Sequence, residues 1–149
     1  MLPVRVVLDT NILISACLKP DGLEAQVVGM VRDGRLAMYA TPEIRAEYRD
    51  VLLRKKFHLI RGAAEALLAE MEAHAVPCVA SVPATAATDE DDNRFLECAG
   101  AIGAQYLVTG NLRHFPPSFG PTAVVNSRGL LESLDLSNKD TPGNALQLP

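Results

Sequence analysis

Asp9, Glu47 and Asp92 each stand at a strand end or in line with an apolar stripe, where an acid could hold a cation. Asp9 follows the apolar run Val4-Arg5-Val6-Val7-Leu8, which is the position where an open parallel sheet places its ligand, just beyond the carboxyl end of a strand. Taken alone, Asp9 could equally cap the helix that comes next. Glu47 falls within the apolar stripe Ile44, Tyr48, Val51 and Leu52, and a carboxylate turned toward a core is costly unless it is paired or binds a cation. The competing reading is a stripe-edge glutamate that reaches solvent beside Arg45 or Arg54. Glu43, one turn earlier, suits the helix dipole instead. Asp92 extends the stripe Phe95, Leu96, Ala99 and Ile102 and should point inward, whereas Asp91 is rotated by about 100° and faces elsewhere. A solvated N-terminal cap would also account for the whole run Asp89-Glu90-Asp91-Asp92. Three inward acids from separate elements would suit a hard cation such as Mg²⁺, which takes a few carboxylates and keeps several waters. The chemistry that follows is phosphodiester hydrolysis by an activated water.

Asn111, in Thr109-Gly110-Asn111, lies beyond a second strand end. If the two strands are neighbours, it shares a crevice with Asp9, where it could accept from a metal-bound water or donate to phosphate. Ordinary turn chemistry explains the same tripeptide.

The elements that must position these residues alternate between strand and helix. Val4–Leu8 reads as a strand buried on both faces, and Thr10 or Asn11 can cap a helix through Leu18. A helix over Glu24–Arg32, a strand over Leu36–Ala40 and a helix from Thr41-Pro42 to Arg54 follow. Ala63–His74 is helical, and Val76–Thr88 is a proline-bearing connection with room for one short strand. Asn93–Gly103 is a helix, Tyr106–Val108 a strand, Ala123–Val125 the last strand, and a short helix lies near Leu130. This order predicts an α/β fold with a largely parallel sheet covered on both faces. From Asn138 the chain is polar and rich in turn formers, so one domain is expected over residues 1–137 and a flexible tail over 138–149.

The 149 residues fit one domain, and 48% hydrophobic with 21% charged residues is a globular composition. No apolar stretch is long enough for a membrane span or a signal segment, and Cys17, Cys78 and Cys98 lack metal-ligand spacing. Reduced thiols and a cytoplasmic setting are therefore expected. A net charge of −4 argues against a protein that coats nucleic acid, but not against an enzyme that meets phosphate through a bound cation.

As a set, the motifs resemble the PIN-domain family, and within it the toxin branch of prokaryotic toxin-antitoxin systems. The carriers are Val-Val-Leu-Asp9-Thr10-Asn11-Ile-Leu-Ile-Ser15, Glu47-Tyr48-Arg49-Asp50-Val51-Leu52, Asp91-Asp92-Asn93-Arg94-Phe95-Leu96-Glu97-Cys98-Ala99, and Val108-Thr109-Gly110-Asn111 with His114-Phe115. The resemblance runs from Val4 to about Leu134. It implies a three-layer α/β/α sandwich around a central, mainly parallel sheet, and a Mg²⁺- or Mn²⁺-dependent endoribonuclease. It also implies that Asp9, Glu47 and Asp92 bind the metal, with Thr10, Asn11, Asp91 and Thr109 as polar support. Similar proteins often dimerise and are held inactive by a cognate antitoxin, so the resemblance implies a homodimer and an antitoxin partner. Their fourth acid falls here on Asn111, a neutral and weaker metal ligand.

An RNA path would need cations beside aromatic rings. Arg113 and His114 beside Phe115 meet that need close to Asn111. Arg54 and Lys55 within Arg54-Lys55-Lys56-Phe57-His58 are the second candidate, although a solvated helix end explains them as well. Two other readings compete. Haloacid-dehalogenase-type phosphatases also open with a strand ending in aspartate, but they carry Asp-x-Asp where this chain has Asp9-Thr10-Asn11. A degenerate PIN-fold binding protein without catalysis is the stronger alternative, motivated by Asn111.

Overall fold

The computed structural model describes residues 2–139. Strand β1 (Val4–Leu8) leads into α1 (Thr10–Leu18) and α2 (Leu23–Arg32), then β2 (Leu36–Ala40), α3 (Pro42–Leu52), α4 (Arg61–His74) and the short β3 (Val76–Pro77). A long connection leads to α5 (Asn93–Ile102), followed by β4 (Tyr106–Val108), β5 (Ser118–Phe119), β6 (Thr122–Val125) and α6 (Ser127–Lys139). The six strands lie in the order β3-β2-β1-β4-β6-β5, parallel at every junction except β5 with β6. Helices cover both faces, giving the expected three-layer α/β/α sandwich.

Burial explains why β1 reads as a continuous apolar run. Val6, Val7 and Leu8 are all fully buried, as a central strand between two helical layers requires. On α3, Thr41 accepts a hydrogen bond from the Ile44 N–H at 3.2 Å and Pro42 occupies the first turn, so the helix starts where its capping residues place it. Helix α5 stops at Gly103, whose φ of +59° is the left-handed conformation that glycine adopts freely.

Several local expectations are corrected. The cap position of α1 is taken by Asp9, not by Thr10 or Asn11, and Asp9 makes no side-chain cap. The hydroxyl of Thr10 donates to Glu47, and the Asn11 side-chain Oδ1 accepts from the Gly110 N–H at 3.0 Å, so both side chains are engaged across the fold. Helix α3 ends at Leu52, and two short 3₁₀ turns within Lys55–Ile60, separated by a kink at Phe57, carry the chain into α4. The last strand is one arm of a β5–β6 hairpin, whose turn relies on Gly120 at φ +58°. Helix α6 runs through Asn138 and Lys139, where the tail was expected to begin, because Leu130, Leu131 and Leu134 continue an apolar stripe against the core. The rest of that proposed tail lies outside the described residues.

The strand order decides where a site can form. From β1 the chain steps outward to β2 and β3, then returns to β4 on the opposite side of β1. The carboxyl ends of β1 and β4 therefore flank the point where the winding reverses, the place where open α/β sheets bind ligands.

Candidate active site

Asp9 emerges from β1 at this switch point and Thr109 emerges from β4. The Asp9 N–H donates to the Val108 carbonyl at 2.9 Å, which carries the β1–β4 pairing one residue past the strands. The Thr109 hydroxyl donates to Asp9 Oδ2 at 2.7 Å and accepts from the Asn111 N–H at 2.9 Å. Asp9 is only 6% exposed, and this hydroxyl orients its carboxylate without neutralising it. Burial is the main force lifting the Asp9 pKa from 3.8 to about 6; the Thr109 hydroxyl opposes it, and the Asp92 and Glu47 carboxylates push it further up.

Glu47 reaches the same region from the middle of α3. Its Oε2 accepts from the Thr10 hydroxyl, and its Oε1 lies 3.4 Å from Arg94 Nη1 on α5. Burial raises its pKa above the ordinary value against the pull of Thr10 and Arg94, while Asp92 and Asp91 add to the rise. Tyr48, the next residue, donates its phenol to the Leu8 carbonyl at 2.6 Å. This ties α3 to the last residue of β1, immediately before Asp9, and so sets where Glu47 can reach.

Asp92 ends the 3₁₀ turn Glu90–Asp92 and takes the cap position of α5; Asp89 caps the turn, accepting from the Asp91 N–H at 3.0 Å. The helical phase read from the sequence separates the two neighbours correctly: the Asp92 side chain is 18% exposed and that of Asp91 is 79% exposed. Asp92 Oδ2 lies 3.3 Å from His114 Nδ1. Its pKa is raised by burial first and by Asp89 next, with His114 acting against them.

The three acids thus occupy one electrostatic neighbourhood, in which Asp92 raises the pKa of both Asp9 and Glu47. They do not close into a chelate. Among the described residues, no three His, Cys, Asp or Glu side chains come near enough to share an ion. The reason is local: Glu47 is turned to Arg94 and Asp92 to His114, each engaged with a partner of its own. The donor set still fits a hard divalent cation, since it consists of carboxylate oxygens whose ionised forms repel one another. Partly exposed polar contacts of this kind are weak, so side-chain rotation could redirect the acids at small cost.

The remaining predicted residues sort by position. Asn111 is exposed at the rim, where its backbone, not its side chain, makes the hydrogen bond to Thr109. Arg113 is exposed beside it. His114, expected to face RNA, is engaged with Asp92. Arg54 lies beyond the end of α3, paired with Asp50 at 3.1 Å, and neither it nor the neighbouring Lys55 is joined to the acids by a hydrogen bond or ion pair. Asp91 holds Arg94 instead of facing the other acids: its backbone carbonyl accepts from Arg94 Nε at 2.8 Å. Sequence reasoning assigned no role to Arg94 or Tyr48. The signal for Arg94 was its place three residues after Asp91 on the same helical turn; the phenol of Tyr48, set in an apolar stripe, gave none.

Comparison with known proteins follows the same outline. Residues 5–113 match the PIN domain, a span that runs from β1 past the end of β4 and takes in every acid described above. The chain belongs to the PIN domain family. An uncharacterized protein of Methanocaldococcus jannaschii is similar as well, 29% identical over 111 residues that cover 72% of this chain and 71% of the relative. PIN domains as a family are nucleases, and in this one the family match spans the switch-point crevice and its acids. Among the described residues, no helix is long and apolar enough to cross a membrane.

Proposed function

We propose that this PIN domain is a divalent-metal-dependent endoribonuclease that hydrolyses RNA phosphodiester bonds, and that it serves as the toxin of a toxin-antitoxin pair. The observation that carries the nuclease reading is the environment of Asp9: a nearly buried carboxylate at the sheet's switch point, lifted to about 6, with two more acids raising it. A site that gathers negative charge in this way becomes favourable when a cation joins it. Asp9, Glu47 and Asp92 would hold Mg²⁺ or Mn²⁺, with Asn111 as a neutral fourth ligand at the rim. When bound, the ion supplies an activated water and offsets charge on the phosphate oxygens.

The protein's own groups then have distinct tasks. Thr109 fixes the rotamer of Asp9, and Thr10 fixes that of Glu47. Asn11 holds Gly110 against α1 and so shapes the rim between β1 and β4. Arg113 beside the rim would contact a phosphate, while Arg54 and Lys55 would act only on a longer RNA. The toxin assignment rests on the motif resemblance and brings a cognate antitoxin and a homodimer with it as partners.

The pairs Glu47–Arg94 and Asp92–His114 favour a second reading, a PIN-fold binding protein whose acids are spent on internal pairing. One experiment separates the two. Single-stranded RNA is incubated with the protein in Mg²⁺ or Mn²⁺, with and without chelator, alongside Asp9→Asn and Asp92→Asn. The nuclease reading expects internal cleavage that the chelator abolishes and that each substitution lowers by at least about 100-fold. RNA that is retained but uncut in every divalent metal would establish the binding protein.

A further inference from the structure

The sulfurs of Cys78 and Cys98 lie 3.2 Å apart, closer than two unbonded sulfur atoms ordinarily rest. Both residues are free thiols, one half-buried just after β3 and the other fully buried on α5. The surrounding backbone holds them in place. The Cys78 N–H donates to the Ala40 carbonyl at 3.3 Å, anchoring it to the end of β2. Downstream, the connecting segment is fastened to the same helix twice: the Ala84 N–H donates to Glu97 at 3.0 Å, and the Ala87 N–H donates to Asn93 at 2.9 Å. Cys98, Glu97 and Asn93 thus form a row of attachments along α5, and Cys78 is positioned at its far end.

We propose that Cys78 and Cys98 form a dithiol site that closes to an intramolecular disulfide with a disulfide oxidant such as glutathione disulfide. Cys78 is the accessible partner, so its thiolate attacks a glutathione sulfur and expels one glutathione thiolate. Cys98 then attacks Sγ of Cys78, gives up its proton, and releases the second glutathione. Two protein thiols are oxidised as one glutathione disulfide is reduced to two thiols. Only about 1 Å of further approach is needed to reach bonding distance. Burial and the neighbouring Cys78 raise the Cys98 pKa, so Cys98 stays protonated until the mixed disulfide is beside it. The product staples the start of the segment that leads to Asp92 onto α5. This proposal is independent of the nuclease reading.

The test is non-reducing peptide mapping of the full chain after incubation with glutathione disulfide, with thermal unfolding followed in parallel. The free thiols should fall from three to one, with a Cys78–Cys98 linked peptide and Cys17 still free. The midpoint of unfolding should rise by several degrees and return on adding dithiothreitol, because closing this loop restricts the unfolded chain. Cys17→Ala should behave identically, and Cys78→Ala should show neither the link nor the shift. A glutathione adduct that persists on Cys78, a link involving Cys17, or three thiols still free would overturn the proposal.

Discussion

Asp9 carries its charge at a cost that its neighbours increase. Its pKa is 3.8 in an unfolded chain and about 6 in the folded one, so between those values the native state retains a proton that the unfolded state has lost. Stability from this group is complete below about 3.8 and is lost as pH rises through about 6. The full difference corresponds to roughly 3 kcal/mol. Asp9→Asn keeps an oxygen to accept the Thr109 hydroxyl but removes the charge. In chelator, its unfolding midpoint should match wild type near pH 3.5 and exceed it by a widening margin up to about pH 6.5. Thermal melts across that range check this, and parallel curves would show that burial of the charge is not what Asp9 costs. At this scale the sequence was informative about the acids, because helical phase and strand ends mark inward-facing carboxylates. It was uninformative about their partners. His114 on Asp92, Arg94 on Glu47 and Tyr48 on the Leu8 carbonyl all depend on how separate elements dock, which periodicity along one element does not encode.

Elements set the reach of these residues. Helix α3 begins at a Thr-Pro cap legible in the sequence, but its position over the sheet edge depends on the Tyr48 phenol bonded to the end of β1. Tyr48 is 3% exposed, so Tyr48→Phe leaves the Leu8 carbonyl buried without that donor. The substitution should lower stability by about 1–2 kcal/mol and weaken RNA cleavage through misplacement of Glu47, with the protein still folded. Denaturant titration and a cleavage assay on the same samples check it; unchanged values in both would remove Tyr48 from the account. The strands β1, β2 and β4 were readable because buried β-branched and apolar runs leave a strong signature. The two-residue β5 and the full length of α6 were not: a strand that short has no periodicity, and the end of α6 is polar in sequence.

On the scale of the whole molecule, the strand order supplies what no single motif can. Placing β4 against β1 brings Asp9 and Thr109 together across one hundred residues of sequence, and the loop after Thr109 carries Asn111 to the same rim. The alternation of strands and helices pointed to this sheet, and the family match covers its central part. The chelate itself was not legible, because the acids are held apart by pairings that a bound cation would have to displace. The direct measurement is a crystal structure of the protein grown with Mn²⁺ and read by anomalous scattering. The account predicts a manganese peak between Asp9, Glu47 and Asp92, with Glu47 turned away from Arg94 and Asp92 away from His114. No peak there at saturating Mn²⁺, with both pairs intact, would contradict it.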